Sequence, residues 1–354
     1  MFYRDSGTMK TSYAQELALF PVAQERWGVI LLLLVGGIVL PMTASTYWLG
    51  SILLPFLILS LAAIGTNVLT GYAGQISLGS GGFMAVGAYA AVNLAVRVPA
   101  LPLPFTLLFA GLAAAAVCAL FGLLSLRIRG LYIVVATLAA QFMIEWVFTH
   151  IPWLYMGNAS GVVGVPPLHV FGFPLTSIAA RYEVAFVTVV LLALAVHNLV
   201  RSPEGRGWLA VRDKEVAAVL TGVSARRAKI TAFAVCGFLS GVSGALWSFL
   251  YLGNVDIEAF TMHRSFQILF MVIIGGLGSI AGSFLGAAFI VLLPVAIANL
   301  ATLLGGTIRP DTVANLELMI FGGLIIGFLI LEPRGLARLF GRARERLRNW
   351  PMKY

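Results

Sequence analysis

Long apolar stretches dominate the chain, and glycine, proline or short charged segments separate them. Between Trp27 and Val96, and again between Ser265 and Ile308, there is no Asp, Glu, Lys or Arg. About 20 apolar residues are enough to cross the hydrocarbon core of a bilayer. A soluble core does not require uninterrupted apolar runs of this length. The pattern therefore predicts an all-α fold, a polytopic transmembrane helical bundle.

The breaks between the apolar stretches divide the bundle into about ten spans. The region 275–283, with the sequence GGLGSIAGS, leaves two alternatives open: a tight turn between two helices, or a break within one longer element. The predicted spans are 24–44, 49–66, 76–96, 104–126, 131–150, 183–200, 230–252, 264–281, 284–304 and 314–331.

Charge adds an orientation to this bundle. Only 10% of the 354 residues are charged, and the net charge is +9. With ten spans, 19 of the 23 basic residues fall on the side of both termini, which the positive-inside rule makes cytoplasmic. The four others, Arg97, Arg181, Arg264 and Arg309, fall outside. Residues 1–26 and 332–354 are predicted cytoplasmic tails around a transmembrane domain, 27–331. The basic residues lack interleaved aromatics, so nucleic acid is not an expected partner.

Spans 2–5 and 7–10 enter the membrane from opposite sides, which permits an inverted repeat of the kind found in transporters. Two stretches rich in small residues occupy the two halves, GYAGQISLGSGG from Gly71 and GGLGSIAGSFLG from Gly275. Close packing of helices through small residues is the alternative reading of both stretches.

Residues that could carry chemistry are scarce. Glu145 is the single acid inside a predicted span, so proton or sodium coupling is disfavoured. None of the four lysines follows a glycine, which excludes a P-loop. Cys118 and Cys236 lie in apolar stretches and are interpreted as small buried hydrophobes. We expect no catalytic, cofactor-binding or metal-binding residues in this chain.

The segment Arg201 to Lys229 is the one densely charged internal stretch. Apolar residues between Trp208 and Leu220 recur with helical spacing, which predicts a short amphipathic helix. Gly222 is expected to end this helix, and a helical turn from Ser224 leads into the seventh span. A solvated positive-inside loop is one alternative; a helix lying on the membrane or docked in the groove of a partner is the other.

Four ordered blocks of the chain form a recognisable set: GYAGQISLGSGGFMAVGAYAA, LRIRGLYIVVATLA, EGRGWLAVRDKEVAAVLTGVSARRAKITAF and MVIIGGLGSIAGSFLGAAFIVLLP. Together they resemble a known family, the LivM-type permease subunit of branched-chain amino acid ABC importers, over roughly residues 50–332. It implies a type II ABC importer-like fold in the bacterial inner membrane. It also implies a homologous LivH-type permease, two cytoplasmic ABC ATPase subunits that bind ATP and Mg, and a periplasmic solute-binding protein.

The resemblance assigns the charged segment to ATPase coupling. Residues Glu215 to Gly222, EVAAVLTG, are similar to the coupling motif of ABC importers, and Ala217, Ala218 and Gly222 match its Ala-Ala-x-x-x-Gly core. The acid stands one position away from its usual place, and the terminal Leu-Pro is missing. The predicted coupling residues are Trp208, Arg212, Asp213, Glu215, Ala217, Ala218 and Gly222.

A translocation path in this chain would use Asn67, Gln75, Ser77 and Asn158 as polar liners. Each of these side chains could instead satisfy a neighbouring helix. The expected substrate is a branched-chain or related small amino acid, with urea and short amides as alternatives. A self-contained secondary transporter or channel, and an assembly subunit without a path, are the competing functions.

Overall fold

The computed structural model describes residues 23–99, 101–126, 132–158, 161–166, 169–170, 173–303, 319–320, 322–323, 326–327, 335–339 and 341. Its first helix is α1, Ala23–Leu34, which continues through a π-helical turn to Thr43. The others are Trp48–Tyr72 (α2), Ser80–Arg97 (α3), Leu103–Ser125 (α4), Tyr132–His150 (α5), Ile178–Arg201 (α6), Pro203–Leu220 (α7), Ala225–Leu252 (α8), Met262–Gly275 (α9) and Ile280–Leu303 (α10).

The predicted class, an all-α polytopic membrane protein, is confirmed. Helices stand at the first nine predicted spans, and in the part of the chain that the structure describes seven of them are long and apolar enough to cross a bilayer. The tenth predicted span, 314–331, falls almost entirely outside the described residues, as do the first 22 residues and the basic segment 127–129. The count of ten therefore stays a prediction.

The region 275–283 forms a tight turn between two helices, which decides between the two alternatives. α9 ends at Gly275, and α10 begins at Ile280. Gly276 and Gly278 have φ values of 117° and 76°, which residues other than glycine rarely adopt. The glycines of this stretch thus reverse the chain within four residues.

Two helices, α2 and α8, form the centre of the bundle. The most apolar windows of α2 and α8 are 89% and 83% buried, against 33% for α4 and 22% for α6. Cys118 and Cys236 are free and buried where α4 packs against α8, which confirms their interpretation as interior residues. The outer helices leave their remaining apolar faces for lipid or for partner subunits.

The segment between α6 and α8 marks one end of the bundle, which we call the α7 end. At the opposite end, two short antiparallel pairs order the loops. Val163–Gly164 (β1) pairs with Asn254–Val255 (β4), and His169–Val170 (β2) pairs with Phe173–Pro174 (β3). The first pair joins the loop after α5 to the loop after α8.

Helix α3 begins inside the bundle rather than at its surface. α2 runs to Tyr72 at the α7 end, and residues 73–79 then return without helical structure. The hydroxyls of Thr66 and Ser80 are 2.9 Å apart, so α3 starts at the level of Thr66. Six helical residues separate Thr66 from Tyr72, a rise of about 9 Å. Irregular backbone at such depth requires surrounding protein, and α5 and α9 supply it.

Candidate coupling site

Helix α7 consists of two helical pieces. Ser202 precedes it, Pro203 occupies its first turn, and Lys214 breaks it with φ −155° and ψ 95°. The predicted single helix from Trp208 to Leu220 was therefore wrong: the helix begins five residues earlier and is broken in its middle. The predicted stop is confirmed, because Gly222 has a φ of 89°.

The first piece of α7 packs against the membrane helices. Trp208 is 1% exposed, and its indole N–H donates a hydrogen bond to the Thr231 hydroxyl of α8 at 2.9 Å. Val211 is buried one turn later. Trp208 therefore supports α7 from within the chain, and it presents no surface to a partner.

Two ion pairs fasten α7 to the start of α8. Glu204 pairs with Arg227 at 2.7 Å, and Glu215 pairs with Lys229 at 2.8 Å. The Lys229 side chain is only 10% exposed, whereas that of Glu215 is 49% exposed. Each helical piece of α7 thus has its own tie to α8, one on either side of the break.

Arg212 connects α7 to the end of α2. One guanidinium N–H donates to the Gly71 carbonyl at 2.8 Å, and the other nitrogens contact the Asp213 carboxylate at 2.9 Å. Gly74, at φ 70°, lies so near that a Cβ there would stand 2.6 Å from the Arg212 side chain. The end of α2 and the first piece of α7 therefore form one contact.

Asn67 joins that contact to the turn between α9 and α10. Its amide oxygen accepts from the Gly278 N–H at 2.8 Å, and its amide nitrogen donates to the Ser279 carbonyl and the Ser283 hydroxyl. Gly71 packs directly on Gly278. The two small-residue stretches thus meet at the α7 end. We call Arg212, Gly71, Asn67 and Gly278 the junction.

The second piece of α7 turns apolar side chains outward. Val216 is 77% exposed and Leu220 is 83% exposed, and Val219 lies beside them. These three residues, with spacing i, i+3 and i+4, form what we call the α7 tip. Ala217 is exposed as well, whereas Ala218 is buried. The helical spacing of apolar residues predicts that the α7 tip lies on the same helix face as Trp208. The polar run from Arg212 to Glu215 was the sequence signal that this apolar face is interrupted.

The structure does not bring the four predicted path residues together. Asn67 is engaged in the junction, and the Ser77 hydroxyl accepts from the Gly79 N–H at 3.2 Å. Asn158 lies in the loop after α5, where it donates to the Val162 carbonyl. Gln75 is 5% exposed, and neither of its amide atoms has a partner among the described residues. The role of these residues in a path stays a prediction.

Removing the acid of the Glu215–Lys229 pair should loosen the second piece of α7. A half-exposed pair is worth about 1 kcal/mol, so we expect backbone amides 216–222 of Glu215→Ala to exchange with deuterium about fivefold faster. Asp213→Ala is the matched control, because its partner Arg212 is its own neighbour. Equal exchange in both variants would show that the pair does not hold the tip.

A family model described as branched-chain amino acid transport system / permease component matches residues 48–329. The matched region contains α2 to α10, and with them the junction and the tip. No solved structure matches the chain.

Three curated relatives resemble the chain. The high-affinity branched-chain amino acid transport system permease protein LivM of Escherichia coli (strain K12) is 28% identical over 355 residues, covering 94% of this chain and 79% of that protein. LivM of Salmonella typhimurium is 29% identical over 77% of this chain and 66% of that protein. A probable LivM of Methanocaldococcus jannaschii is 30% identical over 41% of this chain and 43% of that protein. The chain therefore belongs to the family of branched-chain amino acid transport system permease components.

Proposed function

We propose that this chain is the permease subunit of an ATP-driven ABC importer in the bacterial inner membrane, and that it translocates branched-chain or related small amino acids by alternating access. The observation that carries the proposal is the α7 tip. It is an exposed apolar surface on a charged segment outside the membrane helices, and α7 is tied to the membrane helices at the junction. A helix of this kind fits a hydrophobic groove in a partner protein.

In this proposal, the contacts of α7 transmit movement of the ATPases to the membrane helices. When the two ATPase subunits bind ATP and Mg, they close on each other. The α7 tip, seated in one of these subunits, moves with it. The pairs Glu204–Arg227 and Glu215–Lys229 make α7 and the start of α8 move as one unit. Arg212 carries the displacement to Gly71 at the end of α2, and Asn67 carries it to the turn between α9 and α10.

The displacement would reach both small-residue stretches at once. Packed interfaces switch between discrete arrangements rather than deforming continuously. Neither Gly71 nor Gly278 has a side chain of its own, so no interlocking side chains of these two residues hold their backbones in one arrangement. In this proposal a LivH-type permease forms the other wall of the path, and a periplasmic solute-binding protein delivers the amino acid.

Reconstitution tests this function. Liposomes containing this chain, the second permease and both ATPases should accumulate L-leucine only when ATP and the binding protein are supplied. Omitting any one chain should reduce uptake to the level of empty liposomes, because each supplies a different part of the cycle. L-Leucine transport by this chain alone without nucleotide would identify a self-contained transporter. Unchanged uptake after its omission would identify an assembly subunit.

A further inference from the structure

Arg264 lies inside the bundle, although its charge predicted a place outside the membrane. It is the third residue of α9, within an apolar helical stretch from Ile257 to Gly275. Eleven helical residues separate it from Gly275 at the α7 end, a rise of about 16 Å. The hydrocarbon core of a bilayer is about 30 Å thick, so this rise equals about half of that thickness.

The contacts of Arg264 are all with neutral groups. Its Nε–H donates to the Ala259 carbonyl at 3.2 Å, and a terminal N–H donates to Oε1 of Gln267 at 2.7 Å. The guanidinium carbon lies 4.4 Å from the centre of the Trp247 ring. Among the described residues Arg264 forms no ion pair. A cation within an apolar helical stretch is costly without a counter-charge, and such residues mark substrate or ion pathways.

Trp247 provides a second, independent observation. Its indole N–H is buried in a residue that is 5% exposed, and this donor has no acceptor among the described residues. A buried donor without a partner costs free energy that a ligand can recover. A cation and an unsatisfied donor are thus in contact, and the group that both lack is an anionic acceptor.

Two helix N-termini converge on the same region. α3 begins at Ser80 and α9 at Met262, and the Gly81 N–H donates to the Ser265 hydroxyl at 2.8 Å. The N-terminal ends of helices carry partial positive charge, and interrupted membrane helices direct such ends at anionic substrate groups. The Glu145 carboxylate accepts from the Gln141 amide at 2.7 Å, and among the described residues it forms no ion pair with Arg264.

We propose that Arg264, together with the indole N–H of Trp247, binds the carboxylate of the amino acid as it passes through the membrane; this rests on the proposed import function. Arg264 offers a charged hydrogen-bond donor, and Trp247 offers a neutral one. The carboxylate supplies the missing acceptor for both. The carboxylate of a free amino acid can leave again after transport. A protein carboxylate in its place would occupy Arg264 permanently and would block this binding.

The test uses the assembled transporter in liposomes with ATP and saturating substrate-loaded binding protein. We expect Arg264→Gln to lower maximal L-leucine uptake about ten- to hundredfold, because it removes a charged hydrogen bond. The maximal uptake of Arg264→Lys should lie between that of Arg264→Gln and that of the parent, because lysine keeps the positive charge. Trp247→Phe keeps the ring under the guanidinium and removes only the N–H, so a severalfold loss is expected.

Arg97 supplies the matched control. It also stacks on a tryptophan, with its guanidinium carbon 3.8 Å from the ring centre of Trp153, and donates to a backbone carbonyl. It stands at the end of α3, so Arg97→Gln should transport like the parent. Parent-like uptake by Arg264→Gln would overturn the proposal. So would loss of the second permease from purified Arg264→Gln complexes, since Arg264 would then pair with that subunit. A parent complex without L-leucine uptake would instead contradict the import function.

Discussion

Replacing Val216 and Leu220 together with aspartate is expected to abolish ATP-driven uptake by releasing the ATPase subunits. Both side chains are exposed in the chain, so their replacement leaves its interior unchanged. Burying a Val or Leu side chain in a partner is worth about 1.5–3 kcal/mol each, and an aspartate in the same groove would be desolvated without a counter-charge. We expect ATPase binding to weaken at least a hundredfold, as measured by co-purification and titration of the ATPase.

Arg206→Asp is the control for this double variant. It lies on the first piece of α7, it is exposed, and it changes the net charge by the same two units. It should retain the ATPase, because the contact is attributed to the apolar tip. If Arg206→Asp releases the ATPase equally, charge on the segment holds the partner. If the double variant retains the ATPase and couples hydrolysis to uptake, the tip is not the docking surface.

The sequence could predict α7 as a helix but not the direction of its faces. Helical spacing groups Trp208 with Leu220, and it contains no information about the break at Lys214. On either side of the break, a contact with another part of the chain holds α7 in place. These contacts are the hydrogen bond from Arg212 to Gly71 and the ion pair between Glu215 and Lys229. A local pattern cannot report such ties.

The packing around Arg264 was the other feature that hydropathy did not predict. A charged residue at the edge of an apolar run is normally placed at the membrane surface, and this rule put Arg264 outside. α9 begins inside the bundle because the loop before it folds back against α3, where Gly81 contacts the Phe260 carbonyl. The junction has the same origin: Asn67 and Gly278 are 211 residues apart. The small-residue stretches were recognisable, but their mutual contact was not.

Gly244 of α8 should be intolerant of any side chain. A Cβ at this position would overlap the backbone of Met84 in α3, and one at Gly87 would overlap the backbone of Gly241. The two helices cross through these glycines, and backbone cannot yield as a flexible side chain can. We therefore expect Gly244→Val to separate α3 from α8 and to cost about 3 kcal/mol or more. Fluorescence-detected size exclusion in detergent should show aggregated rather than monodisperse protein.

Gly28→Val is the matched control, because it places the same side chain on a membrane helix with open space around it. It should remain monodisperse and should lose its native elution peak at the same temperature as the parent. A monodisperse Gly244→Val protein with parent-like thermal stability would contradict the close crossing of α3 and α8. Since α3 also carries Ser80 and Gly81, which contact α2 and α9, the crossing sets the level at which α9 begins and hence the position of Arg264 in the bundle. Gly244→Ala places the same Cβ against the Met84 backbone, so it should also show aggregated protein.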